Sequence, residues 1–188
     1  MTDLDHLISP AYRRQLQAMA ALHPEWGSSS ANLLDQVPSL RRAIWDARCV
    51  LDYGSGAGAF GRRVWDEFED TVPVYGYDPR YNTNPATGRY ALIICTDVLE
   101  HVEEDKVDFV LADIRSLLVP VGRVFFSVST VPAIAVLPAT DELPERNAHI
   151  TVKPRDWWLD RIAAAGLLYE PGSAQWSDEG FFGFWSVK

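Results

Sequence analysis

The chain has 188 residues, the size of one domain, and its 47% of hydrophobic residues is enough for a core that needs no disulfide support. With 23% charged residues the composition is that of an ordinary globular protein, which excludes a disordered chain, a collagen and a coiled coil. The 17 Lys and Arg against 26 Asp and Glu give a net charge of −9, which argues against broad nucleic-acid binding because phosphate contacts come mainly from Lys and Arg.

The first quarter of the chain is predicted to be helical. The acidic segment Met1–Asp5 lacks the order of a signal peptide, and no apolar run approaches the roughly 18 residues of a membrane span, so we expect a cytoplasmic protein without a membrane partner. Apolar residues at helical spacing predict a helix over Pro10–Leu22 and a helical region over 33–44, interrupted at Pro38. We expect residues 1–46 to extend a core formed by residues 47–188, within a single domain.

The core region alternates short apolar strands with amphipathic helices. The predicted strands are Cys49–Asp52, Val72–Tyr77, Tyr90–Cys95, Val124–Val128, Leu167–Trp176 and Gly180–Val187, and the predicted helices are Phe60–Phe68, 107–118 and 154–166. Pro120 and Gly122 are expected to end the second of these helices, while residues 79–89 and 130–150 are predicted loops. This order predicts an α/β fold with an open, mostly parallel sheet, helices on both faces and a C-terminal antiparallel hairpin.

A glycine-rich turn follows the first predicted strand, at Gly54, Gly56 and Gly58. Glycines there allow a ligand close to the backbone, and the next helix offers free N–H groups. Three interpretations compete: a turn with no ligand, a dinucleotide site with Asp78 on the ribose, and a site for S-adenosylmethionine (SAM). Asp52, two residues before the first glycine, favours SAM because a carboxylate attracts an ammonium group and repels a pyrophosphate.

Three segments, Val50–Gly58, Val74–Pro79 and Tyr90–Val102, occur in the order typical of class I SAM-dependent methyltransferases, which residues 48–187 resemble. The resemblance implies a Rossmann-like fold with SAM as cofactor. It implies that the SAM-binding residues are Asp52, Tyr53, Gly54, Gly56, Asp78, Pro79, Thr96 and Asp97, with Asp52 and the glycines at the methionine part and Asp78 at the ribose. Residues 79–89 lack the third strand usual in that family, and the adenine contact is left unassigned.

A second group of polar residues follows the third predicted strand. Asp97, Glu100 and His101 would share one face of a helical turn, and with His149 they could bind Mg or Mn. The run resembles that of the small-RNA 2′-O-methyltransferases and the ubiquinone-pathway O-methyltransferases, in which an acid-x-x-Glu-His run binds a metal. Two other roles remain open for His101: a metal-free base or substrate contact, and a purely structural residue.

The last third of the chain shows a second resemblance and contains the residues predicted to contact the methyl acceptor. Arg146-Asn147-Ala148-His149 and the pair Trp157-Trp158 resemble compact methyltransferases of bacteriophages and bacteria. The polar residues of the 130–150 connection are the predicted acceptor contacts: Asp141, Glu142, Glu145, Arg146, Asn147 and His149.

These observations predict a SAM-dependent methyltransferase. We expect O-methylation of a sugar or another small hydroxylated acceptor, with His101 or His149 as catalytic base or with a metal in that role. A nucleotide or nucleic-acid terminus is the alternative acceptor. Two other classes stay open: a NAD-binding oxidoreductase and a SAM-binding protein without catalysis. The sequence does not predict an oligomeric state.

Overall fold

A computed structural model describes residues 4–28 and 32–187, which form a seven-stranded sheet with a small separate hairpin. The strands of the main sheet are β1 (Val50–Tyr53), β2 (Val74–Tyr77), β3 (Tyr90–Thr96), β4 (Leu118–Ser129), β7 (Leu167–Tyr169), β8 (Gln175–Trp176) and β9 (Gly180–Val187), and the small hairpin pairs β5 (Val136–Leu137) with β6 (Arg146–Asn147). The main sheet has the order β2-β1-β3-β4-β9-β7, with β8 paired to β9.

The first four strands are parallel and β9 is antiparallel to its neighbours. Val50 of β1 pairs with Val74 on one side and Leu92 on the other, which places β1 at the centre of the parallel part. This arrangement confirms the predicted mostly parallel α/β sheet with an antiparallel C-terminal part. In residues 78–89 the structure assigns neither helix nor strand, so β2 is an edge strand.

The helices cover both faces of the sheet. They are α1 (Pro10–Leu22), α2 (Leu33–Gln36), α3 (Pro38–Ala47), α4 (Ala59–Glu67), α5 (Val107–Leu117) and α6 (Arg155–Ala164). Side chains alternate along β3, so Ile93 packs with α5 and α6 while Leu92 and Ile94 pack with α2, α3 and α4. None of the helices in the described ranges is both long and apolar enough to cross a membrane.

Two predicted boundaries are wrong. β4 begins at Leu118, directly after α5, and continues through Pro120 and Gly122 rather than starting at Val124. The pairing of β3 with β4 shifts register between Tyr90 and Leu92, and such an irregularity accommodates a proline that cannot donate to the ladder. The predicted strand over 167–176 is divided into β7 and β8, because Pro171 and Gly172, with φ of +79°, form a turn.

α1 packs away from the main core, against the 130–150 connection. The buried apolar residues of this cluster are Tyr12, Leu16 and Met19 of α1, Leu137 and Ala148 of the connection, and Ile8 just before α1. Gln15 is fully buried between the two segments, and its Nε2 donates to the carbonyls of Pro138 and Pro144, both at 2.9 Å. We call α1 together with residues 130–150 the cap.

Candidate active site

A cavity of about 900 Å³ lies at the carboxyl ends of the parallel strands, near the upper end of the range for small-molecule sites. Open α/β sheets bind their ligands at this end of the strands. The sheet side of the wall consists of Tyr53, Gly54, Gly56, Asp78, Pro79, Arg80, Thr96, Asp97, Val98 and Glu100, and the cap contributes Tyr12, Leu16, Val131, Ile134, Ala148 and His149. The predicted SAM-binding residues other than Asp52 therefore line the same cavity as both predicted catalytic histidines.

The glycine turn is held against the end of β2. The N–H groups of Gly54 and Ser55 donate to the carbonyl of Tyr77 at 2.7 and 3.1 Å. Gly54 has φ of +82°, and a Cβ at this position would collide with the side chain of Val98. The turn therefore requires glycine at this position, and it presents main-chain atoms to the cavity.

Asp78 connects the glycine turn to the end of β2. Its Oδ2 accepts from the Gly56 N–H at 3.0 Å and from Nη2 of Arg80 at 2.9 Å, while Oδ1 accepts from the Arg80 N–H at 2.8 Å. The pair is buried, with 5% of the Arg80 side chain and 12% of the Asp78 side chain exposed. The guanidinium of Arg80 lies 5.1 Å from the ring of Trp26 and 4.6 Å from that of Tyr81.

Asp52 is buried near the end of β1 and is not among the residues that line the cavity. It is 4% exposed and pairs within the sheet with Gly76 of β2 and Ile94 of β3. Burial, and then the negative charge of Asp78, raise the pKa of the Asp52 carboxyl to about 7. Gly54 and Gly56, which follow Asp52 in the chain, do line the cavity.

His101 and His149 meet across 48 residues of chain, with ring centroids 4.9 Å apart. Nδ1 of His101 lies 2.7 Å from the carbonyl of Ala148, and Nδ1 of His149 lies 2.6 Å from that of Val131. A carbonyl oxygen only accepts, so in each neutral ring Nδ1 carries the hydrogen and Nε2 has the free lone pair. The cap therefore fixes the tautomer of both rings.

His101 is neutral over the physiological pH range. Burial, and then the neighbouring His149, lower the pKa of His101 to about 4. Its main-chain carbonyl accepts from the hydroxyl of Tyr12 at 2.6 Å, and Trp26 meets its ring edge-on at 5.4 Å. His101 is thus a fixed, weakly basic acceptor of hydrogen bonds.

The structure does not assemble the predicted metal set of Asp97, Glu100, His101 and His149. Within residues 4–28 and 32–187, no three His, Cys, Asp or Glu side chains are arranged to hold a metal. The expected helical turn does not include Asp97, which has φ of +54°, and a 3₁₀ turn begins only at Leu99. Hence Asp97 does not share a helical face with Glu100 and His101, and we derive no step through a metal.

The two carboxyl groups of that set have other contacts. Glu100 Oε1 accepts from the Ser129 N–H at 2.8 Å, and Asp97 Oδ1 accepts from the Ser127 hydroxyl at 2.6 Å. Burial, and then the charge of Asp97, raise the pKa of Glu100 to about 8. Glu100 is therefore mostly a neutral carboxylic acid at pH 7.

A comparison with protein-family models gives a match to the methyltransferase domain over residues 6–171. The chain belongs to this methyltransferase family. The match confirms the resemblance seen in the three sequence segments. A search of curated proteins with this chain gives no match.

Solved structures with the same fold are distant in sequence. An O-methyltransferase family protein from Burkholderia thailandensis has 16% identity and a TM-score of 0.53, over 95% of this chain and 57% of that one. The 1,6-didemethyltoxoflavin-N1-methyltransferase of the same organism has 13% identity and a TM-score of 0.59, over 95% and 88% of the chains. Magnesium protoporphyrin IX methyltransferase from Synechocystis PCC 6803 has 14% identity and a TM-score of 0.53, over 82% and 79%. These similarities show that this chain has the fold of the three solved structures. The chain covers little more than half of the O-methyltransferase family protein, 57% of its length.

Tyr12, Trp26 and Arg80 line the cavity and were not among the site residues predicted from sequence. Trp26 offered a signal, since it is a large aromatic residue in an otherwise small and polar loop. Of the acceptor contacts predicted in the 130–150 connection, His149 lies on this cavity, and the other five do not line it. Glu142 forms an ion pair with Arg14 of α1 instead, and the cavity is lined by the apolar run 131–135.

Proposed function

We propose that this protein transfers the methyl group of SAM to a hydroxyl oxygen of a small molecule. One observation carries the proposal: a continuous cavity joins the glycine turn and Asp78 to the two histidines with free Nε2 atoms. The structures of the toxoflavin-pathway enzyme and the Synechocystis enzyme contain S-adenosylhomocysteine (SAH) and SAM, respectively, which supports SAM as the donor. We also propose that residues 1–46 belong to one domain with the core, because α1 forms part of the cavity wall.

The donor half of the cavity is the part near the glycine turn. The main chain of Gly54 and Gly56 would contact the methionine part of SAM, with the buried carboxyl of Asp52 just before them in the chain, and Asp78 with Pro79 would face the ribose. Tyr53, Thr96 and Asp97 complete this half. SAM carries the methyl group on a sulfonium sulfur. When the methyl group is transferred, the rest of SAM leaves as a neutral thioether.

Arg80 restricts how the ribose can bind to Asp78. A carboxylate has about four acceptor positions, and three of them are used by Gly56 and Arg80. A ribose diol has two hydroxyls to donate, so both can bind Asp78 only if Arg80 moves its Nη2 away from Oδ2. Donor binding therefore competes with a buried ion pair.

The acceptor half of the cavity contains the two imidazoles. Nε2 of His149 would take the hydroxyl proton while the acceptor oxygen forms a bond to the methyl carbon and the carbon–sulfur bond breaks. Nε2 of His101 would accept a hydrogen bond that orients the acceptor, because its lowered pKa makes it a weak base. Alignment of the two reactants in a closed cavity would supply most of the rate.

Calorimetry and labelled-methyl transfer test this function. SAM and SAH should bind the purified protein and NAD should not, and label should pass from SAM to a hydroxylated acceptor. Asp78→Ala should weaken SAM binding by about 1.5–3 kcal/mol, the worth of a hydrogen bond to a charged group. Asp66→Ala, an exposed carboxylate on α4, is the matched control and should leave binding unchanged. Binding of NAD in place of SAM would reject the proposal.

A further inference from the structure

We infer that the acceptor is an apolar, ring-shaped compound with a single reacting hydroxyl, such as a phenol, and not a sugar. The inference rests on the proposed function and goes beyond it by assigning the class of acceptor. It comes from two features of the acceptor half of the cavity: which side chains form the wall, and which polar atoms are still free.

Many of the residues that line the cavity away from the glycine turn are apolar. The segment before α1 and α1 itself contribute Leu7, Ile8 and Leu16, the segment after β3 and α5 contribute Val102 and Val110, and the cap loop contributes Val131, Pro132, Ala133 and Ile134. Binding of a ligand whose apolar atoms cover this surface is favourable, because it removes apolar surface from water.

Most polar side chains on this wall are already engaged within the protein. The Tyr12 hydroxyl donates to the main chain of His101 at 2.6 Å. Both carboxylate oxygens of Glu103 accept from Ser9, at 2.8 Å from its N–H and 2.6 Å from its hydroxyl. Each histidine uses Nδ1 for a carbonyl of the cap. These groups are not available to a ligand without breaking existing bonds.

The polar atoms left for an acceptor are few. They include Nε2 of His101, Nε2 of His149 and the exposed carboxylates of Glu25 and Glu179. The two imidazole nitrogens can serve one reacting hydroxyl group. A sugar would bring several further hydroxyls against the apolar wall, and each would lose its water without gaining a partner.

Ile134 is an exposed member of this apolar wall. It is on the cavity wall and yet fully exposed, at 103%. The exposed Glu25 and Glu179 lie on the same wall. An apolar side chain at this position would contact the body of an apolar acceptor but would make no hydrogen bond to a sugar.

Titration of two acceptors into the SAH-loaded protein tests the inference. We expect 1-naphthol to bind at least about tenfold more tightly than methyl α-glucoside, and to be methylated when SAM replaces SAH. Equal or tighter binding of the glucoside would overturn the inference, as would binding of neither compound. SAH binding is measured first, so a failed proposed function is recognised separately: in that case SAH itself does not bind.

A pair of exposed apolar residues provides matched variants. Ile134→Ser should raise the KM for 1-naphthol several-fold with little change in kcat, since it removes a wall contact and no reacting group. Val121→Ser changes an equally apolar residue, 86% exposed on β4 and away from the cavity, and should leave KM unchanged. Neither change disturbs a buried contact, and the melting temperature verifies folding. An unchanged KM in Ile134→Ser would contradict the proposed position of the acceptor.

Discussion

Arg80 and Asp78 lie two residues apart and form a buried ion pair on the donor side of the cavity. Because Arg80 occupies an acceptor position that the ribose needs, Arg80→Met should bind SAM several-fold more tightly than the wild type. The gain is limited by the net worth of a hydrogen bond to a charged group, about 1.5–3 kcal/mol. Calorimetry measures the effect directly.

The control for this prediction is Arg62→Met. Arg62 also contacts the glycine turn, since its Nη1 donates to the carbonyl of Ala57 at 2.7 Å, but it is exposed and does not contact Asp78. SAM affinity should therefore be unchanged in this variant. Weaker SAM binding by Arg80→Met would mean that Arg80 supports the donor instead of competing with it.

Asp52 makes the stability of the protein dependent on pH. Its folded-state pKa of about 7 lies above the ordinary value of 3.8, so the folded state holds the proton more tightly than the unfolded state. The resulting stability is complete below pH 3.8 and is lost as the pH rises to about 7, by at most roughly 4 kcal/mol. Asp52→Asn removes this dependence. Chemical denaturation of both proteins from pH 4 to 8 should give a smaller decrease for the variant, and parallel curves would refute the assignment.

At the level of elements, α1 positions a residue of the 3₁₀ turn after β3. The Tyr12 hydroxyl holds the main chain of His101, so Tyr12→Phe should lower kcat while SAM affinity stays constant. Loss of one buried hydrogen bond should also cost about 1 kcal/mol of stability. Tyr75→Phe on the edge strand β2, 54% exposed, removes a hydroxyl far from His101 and is the control. Equal kcat values in the two variants would rule out this role of α1.

The secondary structure was largely predictable because it depends on local patterns. The helix over Pro10–Leu22 and the strand starting at Tyr90 follow directly from apolar spacing. The start of β4 was not predictable, since it depends on a register shift against β3 that compensates for Pro120. Tertiary pairing therefore overrode the usual effect of a proline.

The site was predictable where residues follow a strand. The glycine turn, Asp78, His101 and His149 all reach one cavity, because parallel strands end at one edge of the sheet. The metal set was not supported, since the left-handed conformation of Asp97 cannot be read from its neighbours in sequence. Arg80 was missed because its significance depends on a carboxylate that is also bound by Gly56.

At the level of the whole molecule, Gln15 joins the two parts of the cap, α1 and the 130–150 connection. Its side chain donates to two carbonyls of the 130–150 connection and accepts from Nε of Arg146 at 2.9 Å. Gln15→Met should lower the free energy of unfolding by about 3 kcal/mol, because it leaves buried polar groups without partners. Denaturant titration measures this loss. The exposed Gln36→Met on α2 should change stability little, and a similar loss in both variants would argue against a special role for Gln15.

The carbonyls that hold the two imidazoles both come from residues 131–148, the segment that also carries Ile134. One segment of the chain therefore both contacts the acceptor and determines where Nε2 of each histidine points. Grafting this segment from a related enzyme to alter substrate choice would reorient the proton acceptors at the same time. Laboratory evolution of new specificity should succeed more readily through single substitutions at Ile134 than through exchange of the whole loop.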